Sequence, residues 1–524
     1  MKYYLAIQYS AIQKAVLRHD RLWSISGISH TIVKLNEIKM REIVRQKRGH
    51  VILAGGGKLT ACFENIRDAE EAKEELIRTI STNLPMLEFQ VSSIVPAHSL
   101  TDAQKTVKEN EYYPGLIHEL SEKKLNFRGY GVTYNPHFAA CDECEEYPQE
   151  KELIIADKSV CRICYTSWEK ARVDLERILN VEDEKLSSME KIYKSYRKTI
   201  RTQHKINIPL NMEDMFDKKY GEDSEKHERI AVWVSDINNM NRRIVIWNSQ
   251  EEAKILKTYD KLRDLFIEAI IDTLTTVFPE QTLIKRGNEL FIPFRLVVAG
   301  GDDLCIVMPS NYVTNFVLAY SASLSEKIKN SSKYDETLTK EWLDKKLTEM
   351  GEKNVDIGEI SFGGAFVVTP IHTPFAKIHA LGEALMSEAK KKTERKGNSV
   401  NWQILSVDEE TFSDEVLQRR EKPLLVEARY RDFLSFRDYN ELCSQYETIS
   451  KSHTFSIIEA IMEVSGDGKK LKRYLLRIPE AHKAGSKVAQ MLDDRRFYKN
   501  GSLDAARILT MFELINLKKK DQNE

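Results

Sequence analysis

The 524-residue sequence contains no run of eighteen or more apolar residues, so no helical membrane span is expected. It has almost no net charge: 79 Lys and Arg against 80 Asp and Glu leave −1, and no global basic field points to nucleic acid. Its start, MKYYLAIQYSAIQKAV, lacks a cleavage-site pattern and alternates apolar and polar residues, so it reads as structure and not as a signal peptide. Cysteine is scarce and odd in number; there are seven, four of them in two tight pairs. At this length that argues against a disulfide framework and for a reducing, cytoplasmic location. A single His-Asp dipeptide occurs, His19–Asp20.

What is present is globular in character. The chain is 42% hydrophobic and 30% charged, and its length predicts about three or four domains. The charge is not evenly spread. From Val416 to Glu524 there are 21 Lys and Arg against 16 Asp and Glu, a local balance of +5.

One phrase is written twice. VILAGGGKLT begins at Val51 and LVVAGGDDLC begins at Leu296. The surroundings repeat too. Residues 1–98 read as strand, helix, two strands joined by a glycine turn, helix and strand. This is the β-α-β-β-α-β order of ferredoxin-like folds. Residues 229–408 read as the same order at larger scale, with a further helix and a closing strand, and with Ser310 as the expected cap of one helix. Between them, 99–228 hold the cysteine pairs, a charged helical stretch from Ser167 to His204, and an acidic linker, NMEDMFDKKYGEDSEKHER. Residues 409–524 show mostly helical periodicity and predict a small bundle. The fold class expected is α+β: two related α/β units, a cysteine-bearing helical insert and a C-terminal helical bundle.

The two copies differ where chemistry would sit. The first strand of the second unit ends at Asp236, and its glycine hairpin presents Asp302 and Asp303. In this topology the first strand and the hairpin are neighbours, so three carboxylates meet at one end of the sheet. They repel one another unless a cation lies among them, and hard oxygen ligands favour Mg²⁺ or Mn²⁺. Two such ions suit phosphoryl transfer, one activating a hydroxyl and one steadying pyrophosphate. A Gly-Gly-Asp-Asp turn alone is an ordinary hairpin; the strand ending in Asp236 and the duplication favour the catalytic reading. In the first unit Gln8, Gly57 and Lys58 occupy the three positions, so that unit lacks the ligands. Lys58 there is either an exposed turn residue or a contact for a second nucleotide's phosphate.

Two further features carry chemistry. SEAKKKTERKGNSV places Lys390 to Lys392 at a helix end followed by a basic loop, a solvated helix end or a triphosphate contact. Cys141-x-x-Cys144 and Cys161-x-x-Cys164, sixteen residues apart, fit a tetrahedral structural Zn²⁺. Cys62, Cys305 and Cys443 are expected to pack inside strands or helices. Near the C-terminus, GDGKKLKRYLLR and DDRRFYKNGS mix basic residues with aromatics, as an RNA-backbone or subunit contact does.

AGGDDLCIVMP, VSDINNM, ISFGGAFVV and EAKKKTERKGNSV resemble the palm domain of the large subunit of type III CRISPR–Cas effector complexes, itself related to GGDEF-type nucleotide cyclases. That family pairs an inactive first palm with an active second one, separated by a zinc-binding region and followed by helices, so the resemblance covers nearly the whole chain. Cmr-type (subtype III-B) members look nearest. The resemblance implies a subunit that works with other effector subunits, crRNA and target RNA, and that makes an adenylate second messenger, usually a cyclic oligoadenylate, from ATP. It implies Asp236, Asp302 and Asp303 as metal ligands, Ile237, Asn238, Gly300 and Gly301 beside the triphosphate, and Lys390 and Lys396 on phosphates. Many members begin with an HD nuclease; here the first palm starts at residue 1, His19–Asp20 falls inside it, and no DNA cleavage is expected. Three other readings stand beside this one: a site joining AMP to another small molecule, a stand-alone GGDEF-like cyclase, and a non-catalytic scaffold.

Overall fold

A computed structural model of the chain describes its residues apart from 105–138, 173–184, 217–227, 352–356, 406–421, 519–524 and shorter stretches that include 18–20 and 464–467. His19–Asp20 therefore lie outside the described residues.

The N-terminal sheet is built from β1 (Lys2–Ser10), β2 (His50–Gly55), β3 (Lys58–Phe63) and β4 (Glu88–Val91), in the order β2-β3-β1-β4. All these pairings are antiparallel, and Val95–Ala97 extends β1 on the same side. The helical stretch expected from Ala11 to Arg45 is broken into a short turn, the helix α1 (Leu22–Lys34), a π-turn and a further helix, Met40–Gln46. After β3 comes α2 (Ile66–Asn83), started by the Asn65 side chain accepting from the Arg67 N–H at 3.0 Å. Its buried residues Ala69, Ala72, Leu76 and Ile80 fall three or four apart, which gives one apolar stripe against the sheet.

The second sheet repeats that order and adds to it. It contains β5 (Arg229–Ile237), β6 (Arg295–Gly300), β7 (Asp303–Pro309), β8 (Phe362–Pro370), β9 (Ser399–Ile404) and the short β10 (Leu424–Leu425). The order is β6-β7-β5-β8-β9-β10. The likeness extends to detail: both hairpins carry a register shift at the equivalent place, between Val51 and Leu53 and between Leu296 and Val298. Gln8 faces Lys58 in the first ladder as Asp236 faces Asp303 in the second.

Several expectations need correction. Ser310 does not cap a helix; it opens a 3₁₀ turn that runs into Val313–Ser332, and no side-chain cap bond forms. Ser167–His204 is not one helix. Its described parts are α3 (Arg162–Ala171) and α4 (Ser188–Thr199), the latter opened by a Ser187–Glu190 capping box. The start of the expected linker is structured: Met212 and Met215 are buried in a 3₁₀ turn, and Arg286 holds Asp214 at 2.6 Å. Periodicity also missed the helix α5 (Met240–Trp247), which precedes the long α6 (Glu252–Val277).

The C-terminal residues are mainly helical, from Phe436–Tyr446 to Ala505–Lys518, with one two-residue hairpin at Tyr498–Lys499 and Ser502–Leu503. They share a core with the second sheet. Phe366 stacks on Trp402 at 5.8 Å, and Phe436 meets Trp402 edge-on at 5.7 Å. Cys62, Cys305 and Cys443 are all buried, as expected.

Candidate active site

The carboxylates come together through strand register. β5 lies between β7 and β8, with Asp303 and Gly363 its cross-strand partners at Asp236. Gly300 pairs with Asp303, so Gly301 and Asp302 form the two-residue turn. Gly301 has φ +68°, a conformation that favours glycine. Asp236, Asp302 and Asp303 each offer a carboxylate oxygen within 4.8 Å of the others.

The electrostatics of this trio are those of a site that wants a cation. Burial, then the Asp236 charge, pushes the Asp302 carboxyl up to about 7. Asp303 keeps solvent contact, yet the surrounding protein and the charges of Asp302 and Asp236 raise its carboxyl well above the usual range. Lys390 answers part of this charge with an ion pair to Asp236. It stands near the end of the helix Phe375–Lys392 and is only 7% exposed. Its stem crosses Gly363, where a Cβ would lie 2.2 Å from Lys390 Cγ. Three oxygen donors within reach of one another fit a hard divalent cation such as Mg²⁺ or Mn²⁺.

Beside the trio opens a cavity of about 370 Å³, lined by Asp236, Ile237, Asn239, Met240, Asp302, Lys390 and the basic pair Arg242 and Arg395, among others. Ile237 and Lys390 are among the lining residues. Asn238 is not: it is fully buried and its amide binds Ser361 Oγ at 2.9 Å and the Gly397 carbonyl at 3.2 Å. Gly300 and Gly301 are not among the lining residues either. A Cβ on Gly300 would come 3.1 Å from Val33, and one on Gly301 2.9 Å from the Tyr259 hydroxyl. Lys396 pairs with Glu394 at 2.6 Å, and its neighbour Arg395 faces the cavity instead.

Sequence reading also missed Arg243. Its buried guanidinium binds the carbonyls of Asn238, Ile357, Gly358 and Glu359, and so fixes the loop after β5. Asn239, at φ +61°, turns that loop into α5. An Asn-Asn pair before an apolar stretch is the local signal for such a turn.

The other copy of the turn packs against this one. Gly56 and Gly57 have φ +55° and +73°. A Cβ on Gly301 would lie 3.4 Å from the Gly56 nitrogen, and one on Gly56 would lie 3.8 Å from Asp302 Oδ1. Lys58 begins the strand after the first turn, and its carbonyl accepts from Asn36 at 3.5 Å.

The four-cysteine group sits at the far end of α1. The Sγ atoms of Cys141, Cys144, Cys161 and Cys164 lie within 4.8 Å of one another, and Cys144 to Cys161 is 3.8 Å. A tetrahedral ion with bonds of about 2.3 Å spaces its sulfurs by about 3.8 Å, so the group fits Zn²⁺. The Cys161 N–H donates to Cys141 Sγ at 3.2 Å and the Cys164 N–H to Cys161 Sγ at 3.4 Å. Along α1, Trp23 packs among these cysteines, Gly27 admits the Ser167 carbonyl of α3, Ser26 accepts from Arg295 at 2.7 Å, and Val33 meets Gly300. One helix thus touches both sites.

No protein-family model matches the chain. No curated protein matches it by sequence. Solved structures do. A Csm1–Csm4 cassette in complex with cA4 aligns at TM-score 0.52 and 11% identity, over 99% of this chain and 70% of that one. The apo Csm1–Csm4 cassette gives 0.51 at 12% identity with the same coverage. The Csm1–Csm4 subcomplex of the type III-A CRISPR-Csm interference complex gives 0.50 at 12%. The chain has the fold of Csm1. The one of these three that names a subtype is III-A, whereas the sequence pointed to III-B. Among the described residues no helix is long and apolar enough to cross a membrane.

Proposed function

We propose that the chain is the large subunit of a type III CRISPR effector complex, and that on target-RNA binding it converts ATP into an oligoadenylate second messenger, cyclic in its final form. The observation that carries this is the meeting of Asp236, Asp302 and Asp303 at the end of the second sheet, in a fold shared with a structure described with cA4. In this reading the two sheets are palms, 1–98 degenerate and 229–408 catalytic, with a zinc-bearing region at 99–228 and a helical domain at 409–524.

The reaction is nucleotidyl transfer. The 3′-hydroxyl of one ATP gives up its proton and bonds to the α-phosphorus of a second, whose bond to the bridging oxygen breaks to release pyrophosphate. Two Mg²⁺ or Mn²⁺ ions, when bound, activate that hydroxyl and neutralise charge on the leaving group. Asp236, Asp302 and Asp303 would hold them. Lys390, beside Asp236, would meet a phosphate oxygen, with Arg242 and Arg395 on the cavity wall. The main chain at Ile237 borders the same space. Gln8 and Lys58 cannot replace the missing ligands in the first palm, whose turn instead backs the catalytic turn; Lys58 is assigned to the phosphate of the second nucleotide. The four cysteines hold a structural Zn²⁺ with no open position.

Partner subunits, including one in the place that Csm4 takes beside Csm1, together with crRNA and target RNA, complete the assembly. The basic helix Gly468–Leu475 offers a surface for them. The test of gating is to supply ATP and Mn²⁺ to the chain alone, then to the assembled complex with and without target RNA, with other small-molecule acceptors in parallel. Oligoadenylate that requires target RNA supports the reading. A product joining AMP to another acceptor would replace it, RNA-independent synthesis by the chain alone would favour a stand-alone cyclase, and no product under any condition would favour a scaffold.

A further inference from the structure

Tyr259, about two turns into α6, is 3% exposed, and its hydroxyl is buried without a hydrogen-bond partner. It is wedged between the two copies of the glycine turn. A Cβ on Gly55 would lie 2.2 Å from the hydroxyl oxygen, one on Gly301 2.9 Å and one on Gly56 3.9 Å. The glycines on both sides are thus what admits the phenol. From the same Gly56 position, Asp302 Oδ1 is 3.8 Å away, so hydroxyl and carboxylate border one small space.

The ring is held in place from behind. The next residue, Asp260, receives both arms of the Arg41 guanidinium at 2.9 Å. Arg41 also donates to the Ala54 carbonyl at 2.6 Å, immediately before the first glycine turn. Arg263, one turn further along α6, pairs with Asp260 at 3.0 Å. The phenol therefore cannot easily swing away to find a partner elsewhere. A phenylalanine would fill the same space without stranding a donor, and burying an unpartnered hydroxyl is unfavourable. The missing partner is explained if it forms only when Asp302 takes the orientation that holds a cation.

We propose that Tyr259 is a positioning residue for the metal site: its hydroxyl donates to Oδ1 of Asp302 when the other carboxylate oxygen binds the divalent ion. The inference rests on the proposed metal role of Asp302. It assigns α6 and the first, ligand-free turn a part in shaping the catalytic turn, because the phenol is locked against both. Groups that orient a metal-binding carboxylate commonly change metal affinity about tenfold or more when removed.

The experiment measures Mn²⁺ binding to the full chain by titration, without ATP, beside thermal midpoints and the KM and kcat of the assembled complex. Tyr259→Phe keeps the wedge and removes only the donor. The expected result is about tenfold weaker Mn²⁺ binding, a midpoint unchanged or raised, and a lower kcat with KM for ATP little changed. Tyr259→Phe binding Mn²⁺ as tightly as the parent overturns the inference, provided that Asp302→Ala still loses Mn²⁺. If Asp302→Ala also binds as the parent does, the metal reading itself is what fails, and this inference falls with it.

Discussion

Lys390 reaches Asp236 only because position 363 has no side chain. Asp236 and Gly363 are cross-strand partners, and the lysine stem lies where a Cβ on Gly363 would be, 2.2 Å from its Cγ. The lysine is buried for most of its length, so it has little room to find another route. Gly363→Ala should displace it. The expected outcome is overpacking of about 1–3 kcal/mol and a fall in product formation of about tenfold or more. Thermal melting and chromatographic product assays check this. A variant with unchanged stability and rate would show that the lysine stem is not confined there.

The four-cysteine group should hold one zinc ion per chain, read by metal analysis of purified protein. Cys164→Ser should lose it and lower the thermal midpoint, because a closed zinc site contributes directly to folding. Gly27→Ala should separate the two effects. Its Cβ would lie 1.9 Å from the Ser167 carbonyl, prising α3 from α1 and lowering the midpoint while zinc is retained. Zinc-free protein with a parental midpoint would contradict the assignment.

Glu190 gives a pH-dependent prediction. Burial alone would raise its carboxyl, but His30, the Ser187 N–H and Lys34 outweigh burial and hold it well below the usual range. Lys34 lies at 3.0 Å and the Ser187 N–H at 2.9 Å. A depressed folded pKa contributes stability that is fully present above the unfolded value, about 4.3, and is lost as pH falls towards the folded value. Glu190→Gln should therefore cost about 2 kcal/mol at pH 7, since it leaves the half-buried Lys34 ammonium without its anion. In urea melts the gap between parent and variant should narrow as pH falls below about 4. A gap independent of pH would show that the charge on Glu190 does not link α4 to α1.

The duplicated topology was legible in the sequence because strand and helix periods differ, and because both hairpins keep the same glycine turn. The three aspartates were legible for the same reason: register follows from topology, and register sets which side chains meet. The meeting of the four cysteines needed only their spacing. What was not legible depends on long-range packing. Nothing local in LKTYDKL marks Tyr259 as the residue between two turns about 245 positions apart. Asn238 and Lys396 read as nucleotide contacts by motif, yet partners brought in by distant loops, or by the adjacent Glu394, occupy them. Arg242 carried no motif and reaches the cavity from a helix that periodicity did not predict, whereas Arg395 lay in the basic loop the sequence marked, one residue from the Lys396 singled out there.

The most direct test compares the parent complex with one carrying Asp302→Ala and Asp303→Ala, each bound to target RNA and given ATP and Mn²⁺, with products identified by mass spectrometry. The account predicts oligoadenylate and pyrophosphate from the parent, and neither from the variant, while both complexes assemble and bind target RNA alike. Equal nucleotide product from the two would contradict it.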